Sequence, residues 1–587
     1  MKRCPQCNRV ETDEALKFCR VDGATLICDS SSIGSEAGTA NLSAAADSSE
    51  AHTNILPHRT DAGMSLGTGP TTTLPPQVPV STSALAKTKS QKKLVIPVIV
   101  IGLLAVVIAI IVNSYLSRRS TGAIESIAVL PFENASGNAE LEYLSDGVSE
   151  SVIDRLAQLP QLKVIARSSS FKYRGQNLNL QEIAAALGVD AIVTGRVIQR
   201  GDSYLIRVDL TDVRENKQLW GENFNRKGSD VQVLQTDISR EIAENLRLRS
   251  SGTQTRQLAS LGMTNPQAYE LLLKGRFQFN QGGQDKFDRA VEYYEQAIAV
   301  DPNYALAYAE LAEGYNYNGG RGLDLKQVLL KQEAAAQRAL ELNAGLAEAH
   351  YALAEIKRRR WQWQEAEREY FRSIELNPNL GRAYRGYAEY LSLMRRHDEA
   401  VANAKRARDL DPLSIYTTGS LGRRFYLARR FDEALAAFQT NAEQSPESPV
   451  PHYWLGKVYA AKGMYPQAMA EFREAVRKGS GATAIVEALI GVIYVKTGER
   501  GQAEEILRRV RTSPREASPP NARVNYEQNL ASLYDALGMR DEALAALETA
   551  YTERNPNLPF AGTDPAFDNL RSDPRFRDLM KRMNLPE

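Results

Sequence analysis

The chain has 587 residues, which is more than a single hydrophobic core can organise. We therefore expect roughly three or four folding units. Its 72 basic and 71 acidic residues give no global reason to expect nucleic acid or an acidic surface as a partner. The chain has only five histidines, and its four cysteines all lie in a compact head at 1–28. This scarcity disfavours most hydrolase and metalloenzyme functions for the rest of the chain.

The spacing of the cysteines predicts a metal site in the head. Cys4 and Cys7 form a Cys-x2-Cys knuckle, which presents two thiolates to one tetrahedral ion. A second knuckle begins at Cys19, but Asp22 stands where a cysteine would end it, so the fourth ligand is either Asp22 or Cys28. The head resembles small zinc ribbons at the N-termini of many bacterial membrane proteins, which implies a structural zinc ion. A degenerate ribbon without metal is the alternative.

Two segments of opposite character follow the head. Residues 29–93 are rich in Ser, Thr, Ala, Gly and Pro and offer too little apolar surface to offset the entropy of ordering, which predicts a disordered linker. The uncharged apolar run at 94–116 is long enough to cross the hydrocarbon core as one transmembrane helix. Lysines before this run outnumber arginines after it, which favours a cell inner membrane protein with a cytoplasmic N-terminus and extracytoplasmic C-terminal domains.

Residues 124–250 alternate strand and helix patterns. The predicted strands lie at 127–130, 162–165, 191–193, 204–210 and 217–224. One predicted helix begins near residue 145, and two others span 180–187 and 231–246. Ser145 or Asp146 is placed to cap the first helix, Gly188 ends the second, and Gly201 with Asp202 turns a hairpin. This order predicts a mixed sheet with helices packed against it.

Four motifs in this region, at 127–134, 145–147, 164–170 and 191–195, are similar to those of the TolB-like amino-terminal domain. The resemblance implies an α/β domain that faces the cell envelope, interacts or senses there, and is often followed by tetratricopeptide repeats. It implies no particular ligand.

Catalysis is not expected in the α/β region, because it contains neither histidine nor cysteine. Asp146 and Glu150 lie four residues apart on one helix and form a possible carboxylate pair. A helix cap and a favourable partner for the helix dipole explain them more simply.

A 34-residue period runs through 266–555 and predicts about eight tetratricopeptide units of two helices each. The period is marked by Ala344, Pro378, Pro412, Pro446 and Ser480. Small residues such as Gly422 and Gly456 are expected where helices cross, with Phe438 and Phe472 filling the space between them. The tail at 556–587 is expected to form a polar cap on the stack.

Arginines concentrate in the middle units, and some of them should line the concave groove. The candidates for partner binding are Arg358, Arg382, Arg385, Arg423 and Arg424. Guanidinium groups in such a groove can clamp carboxylates or an acidic peptide terminus. The alternative is a solvated rim whose field is cancelled by acidic neighbours such as Glu355.

The sequence therefore predicts a multidomain protein with a small zinc ribbon, one transmembrane helix, a TolB-like α/β domain and an all-α superhelical repeat solenoid. The predicted function is a non-enzymatic, membrane-anchored scaffold or sensor that binds a protein or peptide in the repeat groove. One alternative is a transmembrane signalling regulator whose head contacts a cytoplasmic partner or DNA, although a flexible linker transmits position better than conformation. The other is an enzyme with a site in the α/β domain.

Overall fold

The computed structural model divides the chain into two compact units, Met1–Ser117 and Arg118–Glu587. The residues that it describes are 2–3, 10–11, 27–28, 123–176, 179–227, 231–246, 265–317, 325–479, 483–512 and 525–586.

Three short strands are described in the first unit: β1 (Lys2–Arg3), β2 (Val10–Glu11) and β3 (Ile27–Cys28). They form an antiparallel sheet in which β1 lies between the other two. Of the predicted zinc ligands, Cys28 belongs to β3, while Cys4, Cys7, Cys19 and Asp22 lie outside the described residues, as does the predicted linker.

The predicted fold class needs a correction where the membrane is concerned. None of the helices in the described part of the chain is both long enough and apolar enough to span a bilayer. The apolar run at 94–116 lies outside the described residues. The architecture that the structure supports is an α/β domain followed by an α-helical repeat solenoid, and the transmembrane helix is not part of it.

The second unit begins with a mixed sheet. Its strands are β4 (Ser126–Val129), β5 (Glu133–Asn134), β6 (Lys163–Val164), β7 (Ala191–Arg200), β8 (Ser203–Asp212) and β9 (Lys217–Lys227). They lie in the order β6-β4-β7-β8-β9, with the short β5 paired to β7. Strand β4 runs parallel to β6 and β7, whereas β7, β8 and β9 form an antiparallel meander. The predicted mixed sheet and the hairpin turn at Gly201 and Asp202 are confirmed.

The helices of this domain are α1 (Glu142–Leu156), α2 (Arg167–Ser170), α3 (Leu180–Leu187) and α4 (Val231–Asn245). Helix α3 has the predicted bounds, because Asn179 caps its first turn and Gly188 ends it in the left-handed region at φ 64°.

The predicted cap of the first helix is wrong, because α1 begins three residues before Ser145. Ser145 and Asp146 are both buried inside the helix. A Cβ atom built on Gly147 would lie 2.6 Å from Leu273, so glycine permits the close approach of the first repeat helix. The motif at 145–147 therefore serves packing between the two domains and not helix initiation.

Eight helix pairs follow among the described residues, and we call them units 1 to 8, each with a first and a second helix. Units 1 to 4 are α5 (Pro266–Gln281) and α6 (Gln284–Val300), α7 (Ala305–Tyr317) and α8 (Leu325–Leu342), α9 (Ala347–Arg359) and α10 (Trp363–Leu376), and α11 (Gly381–Leu393) and α12 (His397–Leu410). Units 5 to 8 are α13 (Ile415–Leu427) and α14 (Phe431–Gln444), α15 (Pro449–Ala461) and α16 (Tyr465–Lys478), α17 (Thr483–Lys496) and α18 (Arg500–Thr512), and α19 (Tyr526–Ala536) and α20 (Arg540–Thr552).

The 34-residue period has the expected physical basis in the helix crossings. A Cβ atom on Gly422 would lie 2.8 Å from the ring of Phe438, and one on Gly456 would lie 2.4 Å from the ring of Phe472. Both rings are buried, so each fills the gap between the two helices of its unit. The predicted roles of these four residues are confirmed.

The α/β domain is held against the solenoid by hydrogen bonds to the turns between repeat units. Asn379 accepts from the Val164 backbone N–H and donates to the carbonyls of Ala157 and Leu162. One unit later, Asp411 accepts hydrogen bonds of 2.6 Å from the hydroxyls of Ser168 and Ser169. These contacts fix the sheet on the turns that follow units 3 and 4.

The tail at 556–587 is not the predicted polar cap. It folds into two 3₁₀ turns, Leu558–Gly562 and Pro565–Leu570, and a last helix, α21 (Pro574–Arg582). Many of its apolar side chains are fully buried, namely Leu558, Phe567, Leu570, Phe576 and Met583. The Trp363 indole donates to the Met583 carbonyl, so the tail returns to unit 3 and closes the superhelix.

Candidate partner-binding site on the inner face of the repeats

First helices of different units are connected by ion pairs that define one shared face. Arg276 of α5 pairs with Glu310 of α7 at 2.6 Å and also reaches Asp154 of the α/β domain at 2.7 Å. Glu313 of α7 pairs with Arg382 of α11. The tail touches this same face at units 4 to 6, and we call it the inner face.

Two of the predicted arginines are engaged in this network. Arg358 pairs with Glu355 at 2.8 Å and with Glu389 at 3.3 Å, and it is nearly inaccessible. Arg382 pairs with Glu313 and lies over the ring of Tyr351. Arg358 links unit 3 to unit 4, and Arg382 links unit 4 to unit 2, so the structure places both guanidinium groups in the solenoid wall.

Glu389 is the carboxylate around which the remaining predicted arginines gather. Burial by itself would raise the pKa of Glu389, but Arg358, then Arg423 and Arg424, outweigh burial and lower that pKa to about 2. Arg385 adds a smaller contribution of the same sign. The structure thus brings four of the five predicted arginines together around one acid, and Arg382 pairs elsewhere with Glu313.

Arg424 is the least compensated charge of this group. The side chain is fully buried, and none of its three nitrogens has a hydrogen-bond partner among the residues described by the structure. Burial first, and repulsion from Arg423 second, lower the pKa of the Arg424 guanidinium to about 9. A buried group of this kind is costly unless an anion or hydrogen-bond acceptor reaches it.

A cavity of about 440 Å³ lies next to these arginines, between units 5 to 8 and the tail. Tyr453, Trp454 and Phe560 form an aromatic wall, and Arg423 lies 5.0 Å from the Trp454 ring centroid and 5.2 Å from the Phe560 ring centroid. Val450 lies at the edge of the cavity and is half exposed. The cavity therefore combines an apolar wall with an accessible rim.

Side-chain amides and charges complete the lining of the cavity. The amides come from Asn525, Gln528, Asn529 and Asn557, and the charged groups from Arg423, Lys457, Lys478 and Asp564. Amides both donate and accept, which suits the alternating N–H and C=O groups of a peptide backbone, and here Asn529 and Asn557 also donate to the Ile485 carbonyl and to Asn525. Three cations against one carboxylate make the lining net positive.

Lys457 and Asp564 form the buried ion pair of this cavity. Their side chains are 2.6 Å apart, and the Tyr426 hydroxyl donates to the other oxygen of Asp564 at 2.7 Å. Burial alone would lower the pKa of Lys457, but Asp564 outweighs burial and raises that pKa. The sequence patterns did not predict this pair, because the tail that contains Asp564 was expected to form a polar cap. The many apolar residues of the tail were the signal that it packs against the repeats.

The carboxylate pair considered in the α/β domain is used in ion pairs. Arg167 reaches Asp146 at 3.2 Å and Glu150 at 3.1 Å, and Arg174 also pairs with Asp146. Burial raises the pKa of Glu150, with Arg167 and Arg276 opposing that shift. No cluster of three or more potential metal-ligating side chains is found within the described ranges, and zinc binding in the head stays a prediction.

Comparison with known families agrees with the repeat architecture. Models of the tetratricopeptide repeat match residues 420–483, 282–304 and 528–557, and the C-terminal region consists of such repeats. Residues 123–241 match the second domain of HilA/YgeH-like transcriptional regulators. The match does not carry the TolB-like description, so that resemblance stays a prediction.

One curated relative is "Putative adenylate cyclase 3" of Rhizobium meliloti (strain 1021), which is 31% identical over 235 residues. The match covers 39% of this chain and 39% of that protein, so the chain spans about two fifths of the relative's length. That name describes the relative and not this chain.

Several solved structures are similar to part of this chain at low sequence identity. PilF of Pseudomonas aeruginosa is 19% identical with a TM-score of 0.30, and the match covers 36% of this chain and 91% of that one. The type IV pilus biogenesis factor PilW is 18% identical with a TM-score of 0.32, covering 36% and 93%. Human IFIT1 with PPP-AAAA is 17% identical with a TM-score of 0.37, covering 55% and 79%.

Proposed function

We propose that this chain is a non-enzymatic scaffold that binds a polypeptide segment of a partner protein in the cavity on the inner face of its repeats. Tetratricopeptide repeats supply preformed concave surfaces, so the ordering cost of binding falls mainly on the partner. The observation that carries the proposal is the cavity itself, with its aromatic wall, its backbone-matching amides and its net positive lining. A zinc ribbon in the head is proposed as a separate, structural element.

The proposal is tested by panning a random peptide display library on the full chain. Synthetic copies of enriched peptides are then measured by fluorescence anisotropy against Val450→Gln and Tyr416→Gln chains. Val450 and Tyr416 occupy the same position in neighbouring units and are both exposed, at 55% and 70%, but only Val450 lines the cavity. We expect Val450→Gln to weaken binding about fivefold, since it removes roughly 1 kcal/mol of apolar contact, and Tyr416→Gln to leave binding unchanged.

Two results would contradict the scaffold proposal. One is a library that yields no peptide whose affinity depends on Val450. The other is an enzymatic activity of the full chain, for which the name of the relative suggests conversion of ATP to cyclic AMP as the reaction to assay.

A further inference from the structure

The tail presents a regular series of side chains to the inner face. We call residues 558–570, with their two 3₁₀ turns, the C-terminal segment. Phe560, Asp564 and Asp568 follow one another there at four-residue intervals, and Asp564 caps the second turn. Phe560 packs on Arg423 and Arg424, Asp564 pairs with Lys457, and Asp568 pairs with Arg429 at 2.7 Å. An intramolecular ligand is therefore already seated on this surface.

The charges of the segment match the surface incompletely. Four cations of units 5 and 6 face the segment, namely Arg423, Arg424, Arg429 and Lys457. The segment offers them two carboxylates: Asp564 pairs with Lys457, and Asp568 pairs with Arg429. From the segment, Arg424 receives only the ring of Phe560, with its guanidinium carbon 5.6 Å from the ring centroid, and Glu389 of unit 4 offsets its charge only in part. The three guanidinium nitrogens of Arg424 are buried and have no hydrogen-bond partner within the described part of the chain. Docking of the segment thus seals a charge that an anion would stabilise.

The segment also borders the space that the partner is proposed to enter. Phe560, Ala561, Asp564 and Phe567 line the 440 Å³ cavity together with residues of units 5 to 8. An occupant of the cavity therefore touches the segment directly. An occupant that also carries a carboxylate can offer Arg424 what the segment does not.

We infer that the C-terminal segment is a displaceable internal competitor, and that the partner is an acidic polypeptide segment whose carboxylate replaces the Phe560 ring over Arg424. This inference rests on the proposed function and adds two features to it, the acidic chemistry of the partner and the competition between partner and segment. In the absence of a partner, the segment keeps the inner face closed. When the acidic segment binds, the carboxylate neutralises Arg424 and the C-terminal segment leaves the face, while Val450, Tyr453 and Trp454 of unit 6 remain as the apolar wall that holds the partner.

The test uses two labelled peptides and the full chain. The first peptide copies residues 556–572, and the second carries Phe560→Glu in that copy. Their binding is measured by fluorescence anisotropy to the wild-type chain and to Asp564→Asn, which loosens the segment without changing its shape. We expect the first peptide to bind the Asp564→Asn chain at least tenfold more tightly than wild type. We expect the second peptide to bind that chain about fivefold more tightly still.

Arg424→Met, added to Asp564→Asn, is the specific control for the acidic chemistry. The fivefold advantage of the Phe560→Glu peptide should vanish in this double variant, whereas the first peptide should keep its affinity. Asp568→Asn provides a milder release, because its pair with Arg429 is exposed and its loss does not threaten folding. The first peptide should bind the Asp568→Asn chain about twofold more tightly than wild type. Thermal unfolding checks that each variant is folded.

Equal binding of the first peptide to wild type, Asp564→Asn and Asp568→Asn would overturn the competition. A Phe560→Glu advantage that persists without Arg424 would overturn the role assigned to that guanidinium. The proposed function is judged separately: library peptides that depend on Val450 but ignore Asp564→Asn would leave the scaffold intact and reject the internal competitor.

Discussion

Lys457 donates a hydrogen bond to Asp564 over 2.6 Å and so joins unit 6 to a segment 107 residues later in the chain. Both side chains are about nine-tenths buried. A buried pair of this kind contributes little over apolar residues of the same size, but the loss of one partner leaves an uncompensated charge.

We therefore predict that Lys457→Met and Asp564→Asn each destabilise the chain, by about 3 kcal/mol for the lysine change and less for the isosteric amide. The double variant should be less destabilised than the sum of the two, because neither charge remains alone. Urea unfolding followed by circular dichroism measures all three. The exposed pair Arg429 and Asp568 is the matched control, and Arg429→Met should cost less than about 1 kcal/mol.

Glu389 makes a prediction about pH. Its pKa is about 2 in the folded chain against an ordinary value of 4.5, so its ionised form stabilises the fold above pH 4.5. As the pH falls from about 4.5 towards 2, this contribution is lost. Glu389→Gln should therefore be less stable than wild type at pH 6, and the difference should shrink steadily below pH 4.5. Glu433→Gln, which alters an exposed pair with Arg430, should show little difference at either pH.

Asn379 is predicted to hold the α/β domain on the solenoid. Asn379→Ala removes one acceptor and two donors and leaves the backbone groups of Val164, Ala157 and Leu162 without this partner, at a cost of about 2–4 kcal/mol. Limited proteolysis should then cut between the domains faster. Asn343→Ala is the control, because within the described ranges the Asn343 side chain accepts only from the Gly345 backbone N–H of its own turn. Equal protease resistance of the two variants would refute this role.

The turns within the repeat units permit a paired backbone test. Arg395 and Gly463 occupy the same turn position two units apart, at φ 57° and φ 73°. Because glycine adopts this left-handed region without strain, Arg395→Gly should raise stability by roughly 0.5–1 kcal/mol. Gly463→Ala should lower stability by about 1 kcal/mol. Thermal unfolding midpoints check both, and changes of the same sign would contradict the argument.

Zinc in the head is a prediction from sequence alone. We expect one zinc ion per full chain by elemental analysis, and Cys4→Ser should abolish it because a structural site needs four ligands. Asp22→Ala and Cys28→Ala separate the two candidates for the fourth ligand: the true ligand should lose zinc when substituted, and the other should not. A wild-type chain without stoichiometric zinc would end the prediction.

Local patterns of the sequence determined the elements and the repeats. Helix α3 begins at Leu180 and ends before Gly188 as predicted, since caps and left-handed turns act within a few residues. The crossing contacts of Gly422 and Gly456 follow from the 34-residue period, because each unit repeats one local packing problem. The five expected arginines all belong to the first helices of units 3 to 5, since first helices of successive units stack side by side.

Only the tertiary structure decided how those charges are used and where the tail lies. Arg358 and Arg382 are paired within the solenoid, whereas Arg424 is buried without a hydrogen-bond partner among the described residues. The difference arises from carboxylates on other units and from Phe560, which belongs to the tail and lies far beyond Arg424 along the chain. Pairings over such long separations depend on the closure of the superhelix, and no local propensity encodes them.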